Sequence, residues 1–488
     1  MGSTVPEMSP EAGSIVSPVG SRTALYLSVL TGTSGSVAVN GRVTGSPSPD
    51  VWFPGWARLG ATFVSLTVRS WRTSAGTDDQ VRISGAVAAA VLAALCLLPE
   101  STAAQVTGLE LRGYYLNVAT GSLEGPFTPA GLTDFQRLRL SMAPGFGVVG
   151  LDVAYEQGLQ LFTDSDLGGL PFASLGATES LTQWLPLQGT IAEGDHARWT
   201  NRVDRLSIRA PIGDRVEISA GREAVSWATT LFLTPADPFA PFDPADPFRD
   251  YRAGVDVVRV QVYGGTFTQF DAVVNPTKVG DETNLTALVR GTTLLGSWEL
   301  GGWGGIIYDR PGAAVSATVT SWGMAFRGEA SVRDEPAETV WRVAVGADRN
   351  FVVAGRDLYM AVEYQYDGFG AASGSDLVTT VLSVPYSRGE LQVLGRHESA
   401  LQAMWQASPL LSVEWLTLWS LSDGSVLLSP AASLSLSNEI TGRAGMYLGF
   451  GPETRPAPSV PGAPVDDLPA SEYGIVPASL YLSVTAYF

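Results

Sequence analysis

The chain has 488 residues, including 54 Gly, 31 Pro, 13 Trp, two His and one Cys, and its 48 acidic and 30 basic residues leave a net charge of −18. A single cysteine excludes a disulfide framework or a cysteine-based zinc site, and the deficit of basic residues argues against wrapping a nucleic-acid backbone. Only 16% of residues are charged while 45% are hydrophobic, and the mean hydropathy is +0.14; this middle ground suits a membrane β-barrel, whose strands alternate apolar and polar residues without a long apolar run.

The longest apolar run, residues 86–98, is too short for a bilayer-spanning helix, which needs about 20 residues. It reads as the centre of a signal peptide over 81–104. Arg82 supplies the positive start, Pro99 a break, and Thr102-Ala103-Ala104 the small-residue cleavage site, so that the mature chain begins at Gln105. Leu95 stands before Cys96 where a lipoprotein signal carries a small residue, so the cysteine leaves with the signal. Residues 1–80, rich in Gly, Ser, Thr and Val, show no persistent periodicity. Two readings stay open for them: a start assigned too early, with Val81 the alternative, or a disordered N-terminal extension. Basic and acidic residues balance up to residue 104, so the whole negative charge belongs to 105–488.

From Gln105 onward no 18-residue apolar stretch and no helical periodicity occurs, and alternation is nearly continuous. Leu138, Leu140 and Met142 alternate with Arg137, Arg139 and Ser141, and, after a turn at Pro144-Gly145, Leu151, Val153 and Tyr155 alternate with Asp152 and Glu156. Leu206 and Ile208 oppose Arg205, Ser207 and Arg209; Val216 and Ile218 oppose Arg215, Glu217 and Ser219; Val258, Val260 and Val262 oppose Arg259 and Gln261. The same pattern sets Met324 and Phe326 against Arg327 and Glu329, Leu358, Met360 and Val362 against Glu363 and Gln365, and Val413, Trp415 and Trp419 against Glu414 and Ser420. In the last segment Leu480, Leu482, Val484, Ala486 and Phe488 share one face, with Tyr, Ser and Thr on the other.

A chain ending on Phe488 after such a strand resembles the outer-membrane barrels of Gram-negative bacteria. The resemblance implies an assembly signal at Phe488 read by the barrel-assembly machinery, and outer-membrane lipid around the strands. The pattern predicts an all-β fold, a transmembrane antiparallel barrel over 105–488 of about 18 strands, within about 16–20 and even in number. Short connections such as Pro144-Gly145 and Ala347-Asp-Arg-Asn350 alternate with long ones at 160–199, 223–251 and 452–476; short turns belong to the periplasm and long loops outside. A soluble all-β protein would also bury one face of each strand, but 384 residues of it would divide into domains, and no linker-like stretch interrupts the strands.

Inward parity gathers Arg137, Arg139, Arg205, Arg209, Arg215 and Arg259, with Asp152, Glu156 and Glu217 in the same region. Such a ladder lines a pore and favours anions, or it pairs across strands and braces the wall. The connection after Gly221-Arg222 carries Ser226-Trp227 and then repeats Ala-Asp-Pro-Phe, placing Asp237, Phe239, Phe242, Asp243, Asp246 and Phe248 in a proline-stiffened segment before Gly254-Val255-Asp256. The arrangement is similar to that of uncharacterised porin-like outer-membrane proteins, and it implies a constriction folded into the lumen or a lid over the mouth. Eight aromatics, Trp298, Trp303, Trp322, Trp341, Trp405, Trp415, Trp419 and Tyr481, fall near strand ends as membrane-interface rings. His196 and His397 are the only histidines available to a histidine-dependent catalytic site, with His397-Glu398-Ser399 the more interesting of the two because it shares parity with lipid-facing Leu391 and Val393; a lone histidine near a loop is more often ordinary surface, and the chain reads as no enzyme, with no cofactor and no metal. The functional expectation is an outer-membrane porin passing small polar or anionic solutes by passive diffusion, with no nucleic acid as partner and a homo-oligomer open. The alternative is a non-conducting barrel acting as receptor, anchor or assembly factor.

Overall fold

The computed structural model describes residues 28–31, 37–40, 55–59, 62–66, 106–107, 110–163, 183–239, 246–248, 251–265, 267–279, 282–457 and 467–488. Ser28–Thr31, Val37–Asn40, Gly55–Leu59 and Thr62–Leu66 form a four-stranded sheet in a unit of their own. The expected signal peptide at 81–104, with Cys96, lies outside the described residues.

The second unit is a ring of antiparallel strands. In chain order these are β1 (Arg112–Ser122), β2 (Gly131–Met142), β3 (Val149–Phe162), β4 (Ala197–Ile212), β5 (Val216–Glu223) and β6 (Val255–Tyr263). There follow β7 (Thr268–Val279), β8 (Glu282–Leu295), β9 (Trp298–Ile307), β10 (Arg310–Ser321), β11 (Met324–Asp334) and β12 (Thr339–Val353). The last six are β13 (Arg356–Asp367), β14 (His397–Ser408), β15 (Leu411–Ser420), β16 (Val426–Ser435), β17 (Ile440–Phe450) and β18 (Ser479–Tyr487). Each pairs with its chain neighbours, and β18 closes on β1 through pairs from Ser479 with Ser122 to Tyr487 with Tyr114. Phe488 and Gly113 complete the seam by exchanging two backbone hydrogen bonds of 2.9 and 3.0 Å. These eighteen strands match the expected number.

Closure follows from the solvent. In a bilayer no water satisfies a free strand edge, so a spanning sheet must return to its first strand. The alternation seen in sequence then separates lipid from lumen. Val258, Val289, Val315, Val345, Val362, Leu480, Leu482 and Val484 are exposed on the outside, whereas Arg137, Glu156, Ser207, Asp271, Glu329, Glu363, Gln365 and Ser483 are buried within. Trp298 and Trp322 lie at one end of the apolar belt and Trp341 and Trp419 near the other, all exposed, as interfacial girdles require. Trp303 and Tyr481 depart from the expectation: both are buried, on inward positions among residues that fill the lumen.

The connections 163–196, 224–254, 368–396 and 451–478 leave the same end of the ring, and β1 begins and β18 ends at the other. By the usual asymmetry the short-turn end is periplasmic. One expected connection is corrected and one unexpected connection is added. Ala347-Asp-Arg-Asn350 lies inside β12, and the turn is at Ala354-Gly355, both with positive φ of 53° and 73°, the geometry of a two-residue hairpin turn. The connection 368–396 was not foreseen, because Leu377-Val-Thr-Thr-Val381 is rich in β-branched residues yet forms a helical turn, followed by a second at Val384–Ser387.

Val289 sits at mid-strand on the lipid face and is 58% exposed. Val289→Arg is expected to lower barrel stability by about 2–4 kcal/mol, read from the denaturant midpoint of folding in lipid vesicles; an unchanged midpoint would remove β8 from the membrane.

Candidate functional site: a segment folded into the lumen

A ring of 16–18 strands leaves an aqueous channel unless something fills it. Here the described residues of the connection 224–254, between β5 and β6, turn into the lumen. The base of the segment is clamped: Arg222 at the end of β5 and Asp256 at the start of β6 face each other in register, with Nε–Oδ1 at 2.8 Å and Nη2–Oδ2 at 2.9 Å. Arg222 also donates to Val203 O at 3.1 Å and Leu185 O at 2.7 Å, which leaves it fully buried beneath residues 183–187. Gly254 passes so close to β4 that a Cβ there would lie 2.1 Å from Asp204 O; only glycine permits this approach.

The two Ala-Asp-Pro-Phe repeats form the same local structure. Asp237 Oδ1 accepts the Phe239 N–H at 3.1 Å and Asp246 Oδ1 accepts the Phe248 N–H at 2.9 Å, each across a proline, an Asx turn stiffened by the fixed φ of the ring. Each turn delivers its Phe to a different side of the lumen. Phe239 meets Trp227 edge-on with centroids 5.0 Å apart, in a cluster with Val273, Leu288, Trp303 and Ala314 of β7 to β10. Phe248 meets Tyr481 edge-on at 5.0 Å, in a cluster with Tyr114 and Phe135 of β1 and β2 and Leu418, Leu427 and Tyr447 of β15 to β17. Phe242 and Asp243 lie outside the described residues.

Between Trp227 and Phe239 the backbone is held by two inward carboxylates of the wall. Glu329 on β11 accepts Thr229 N at 2.7 Å, Thr230 N at 3.3 Å and Ala236 N at 3.2 Å. Glu363 on β13 accepts the successive N–H groups of Leu231, Phe232 and Leu233 at 2.5, 2.8 and 2.9 Å. Gln392, from connection 368–396, accepts Thr234 N at 2.6 Å and donates to Phe232 O at 2.8 Å. Neither glutamate forms an ion pair among the described residues. Their charge is met by backbone dipoles, and charge-assisted bonds of this kind are the strong ones. Sequence parity placed both inward but gave no sign of this role, since their partners lie some hundred residues away along the chain.

The arginines expected to line the pore are mostly engaged. Arg139 on β2 pairs with Glu156 of β3 and with Asp204 at 2.8 Å, and its guanidinium stacks 3.6 Å over the Tyr251 ring of the inserted segment. Arg202 pairs with Glu156 at 2.6 Å, Arg205 with Asp204 at 2.6 Å, and Arg259 with Asp271 at 2.5 Å. Arg137 is buried and donates to Phe248 O at 3.1 Å, tying β2 to the segment. Asp237 is held by Arg252 at 2.6 Å and Ser226 at 2.9 Å. Arg209 keeps half its side chain exposed, 3.6 Å from Glu217, and Asp152 lies half-buried nearby in register with Ser207. Arg215 precedes β5, which begins at Val216, and is exposed in the tight turn after β4. Arg290 on β8, which sequence reading passed over, has no ion pair among the described residues and lies 5.8 Å from the Trp227 ring. Of the two histidines, His196 is exposed in the turn before β4, and His397 hydrogen-bonds Tyr364 through Nδ1 at 2.8 Å.

No family model and no curated protein matches the chain. Similar solved structures are barrels: OccAB1 of Acinetobacter baumannii, 10% identical over 80% of this chain and 99% of that one, TM-score 0.43; OccD3 (OpdP) of Pseudomonas aeruginosa, 13% identical over 78% and 93%, TM-score 0.43; and a BenF-like porin from Pseudomonas fluorescens, 10% identical over 78% and 98%, TM-score 0.43. At such identities and scores the likeness carries no argument about what this chain transports. The closed ring, its apolar belt and its polar interior establish the membrane barrel without it.

Glu363→Gln removes a charged acceptor shared by three amides, an interaction worth about 1–3 kcal/mol. Amide exchange at Leu231, Phe232 and Leu233 is expected to accelerate by about 5- to 150-fold in the otherwise folded barrel, measured by mass spectrometry; unchanged protection would mean that the segment is held by its aromatic contacts alone.

Proposed function

We propose that this protein is an outer-membrane porin that passes small polar solutes by passive diffusion, with the segment 224–254 as its constriction. The reading rests on one observation above the others: Glu329 and Glu363 pin the backbone of that segment across a lumen that eighteen strands would otherwise leave wide. A pinned, proline-stiffened bar narrows a channel to a defined cross-section, which is how a wide ring acquires a size limit. The wall around it is polar and internally compensated, with Arg139, Arg205 and Arg259 each facing a carboxylate. Bracing therefore accounts for most of the basic ladder. Any preference for anions rests on Arg209 and Arg290 instead. We place Phe488, at the seam with β1, as the signal read during assembly.

The test is single-channel conductance of the protein purified from membranes, in a planar bilayer with an asymmetric salt gradient. Stable conductance steps are expected. A folded but electrically silent protein would overturn the porin and favour a barrel closed by its segment, a state to which the apolar clusters on both sides of Trp227 and Phe248 lend themselves. Two variants separate charge in the path from charge in the wall. Arg209→Glu should move the reversal potential toward cation preference without loss of stability. Arg205→Ala should instead lower the unfolding free energy by about 3–5 kcal/mol, as breaking a buried ion pair does, with little change in reversal potential.

A further inference from the structure

The apolar belt is interrupted on β1 to β3. Leu116 and Val118 on β1 and Phe135 and Arg137 on β2 are buried inside the ring, so their chain neighbours Asn117, Asp134 and Gln136 face outward. Asn117 and Gln136 stand opposite each other in register, each the sixth residue of its strand and so at mid-belt. Asp134 follows Gln136 toward the end that carries the long connections, and Gln157 on β3 shares the outer face with Leu138. Elsewhere this face is built of residues such as Val258, Val289, Val315 and Val362.

The polar side chains bond to one another. Asn117 Nδ2 donates to Asp134 Oδ2 at 2.8 Å, Gln136 Nε2 to Asp134 Oδ1 at 2.7 Å, the Tyr115 hydroxyl to Gln136 Oε1 at 2.9 Å, and Gln157 Nε2 to the Tyr155 hydroxyl at 3.1 Å. The set is incomplete. Among the described residues each of the three amides keeps a second N–H without an acceptor, the Asn117 and Gln157 carbonyl oxygens accept nothing, and Asp134 forms no ion pair. Hydrocarbon offers none of these groups a partner, and an ionisable side chain on a lipid face is costly.

We propose that the outer face of β1 to β3 is a subunit interface, on which a second copy of this chain docks with the same face about a two-fold axis. The chemistry selects this occupant. A carboxamide carries donor and acceptor side by side, so amides brought face to face bond reciprocally, and the patch is its own complement as a two-fold contact requires. Asp134 does not oppose the pairing, because two amide donors already hold its carboxylate. Leu159 and Leu161, beside Gln136 and Asp134 in register, give the contact an apolar surround. A lipid headgroup fits less well: it stays at the membrane surface, away from mid-belt, and its phosphate would meet Asp134 with like charge.

Native mass spectrometry of the protein purified from membranes in mild detergent should show a dimer, whether or not the barrel conducts. Asn117→Leu with Gln136→Leu should weaken the association by about tenfold while the monomer stays folded, since amide bonds between subunits give way to groups that lipid solvates equally well. A monomeric wild type, or a dimer that the leucines leave as tight, overturns the interface. Should the double variant not fold, thiol crosslinking in intact membranes answers the same question. In a Cys96→Ser background, Gln136→Cys treated with a short bis-maleimide should give a band of twice the monomer mass, and Val289→Cys on β8 should give none. Absence of the first band, a crosslink to a protein of another mass, or equal crosslinking at position 289 overturns the interface as well.

Discussion

Every backbone N–H and C=O placed in a membrane must find a partner within the protein, because the bilayer core supplies none. That requirement turns the β-rich chain into a ring, and the seam between β1 and β18 is where it is finally met. The same requirement recurs inside. A segment led through the lumen without a strand beside it leaves a run of unpaired amides, and the wall answers with two carboxylates in place of a β-ladder: Glu363 takes three consecutive N–H groups and Glu329 three more. A buried carboxylate without a cation would be costly, so segment and wall each remove the other's unsatisfied groups.

The inserted segment behaves as a bar and not as a tether. Its ends are drawn together by Arg222 and Asp256, and its two Asx-Pro turns fix the direction in which each Phe leaves the backbone. Because Phe239 and Phe248 anchor in clusters on opposite sides of the ring, motion of one end is resisted by the other. The lone indole N–H groups are used in the same sense: Trp303 donates to Ala236 O at 3.2 Å and Trp227 to Asp271 at 3.3 Å. In the proposed porin, the size limit of the lumen is a property of this braced element, set by packing and hydrogen bonds.

Fold class, strand number and lipid-facing residues were legible in the sequence because alternation is a local signal, read two residues at a time. The repeated Ala-Asp-Pro-Phe was legible too, since Asp and Pro dictate their turn within three residues. What the arginines do was not, because pairing depends on register: Arg139 on β2 finds Asp204 on β4, 65 residues away, and shares it with its chain neighbour Arg205. Arg215 lies one residue before β5, in a turn where strand parity no longer applies. Ala347-Asp-Arg-Asn350 has turn-forming composition but continues β12, whose ladder to β13 overrides local preference. Glu329 and Glu363 show the limit best: an inward acid is visible as such, whereas its bonding to a loop from another part of the ring is a purely tertiary fact.

The seam that joins β1 to β18 also sets how the chain must fold. Its two strands stand some 370 residues apart in sequence, and Gly113 has its partner only in the final residue, Phe488. Contacts of such separation are the slowest to form, since the entropy of closing the intervening chain is spent before they repay it. Until the last strand arrives, β1 and whichever strand is then terminal both present open edges, the state most prone to pairing with another copy. Sequence order thus makes completion of this protein a single late event: nearly all of the wall can be in place while the molecule is still an aggregation-prone sheet, and nine residues decide whether it becomes a barrel.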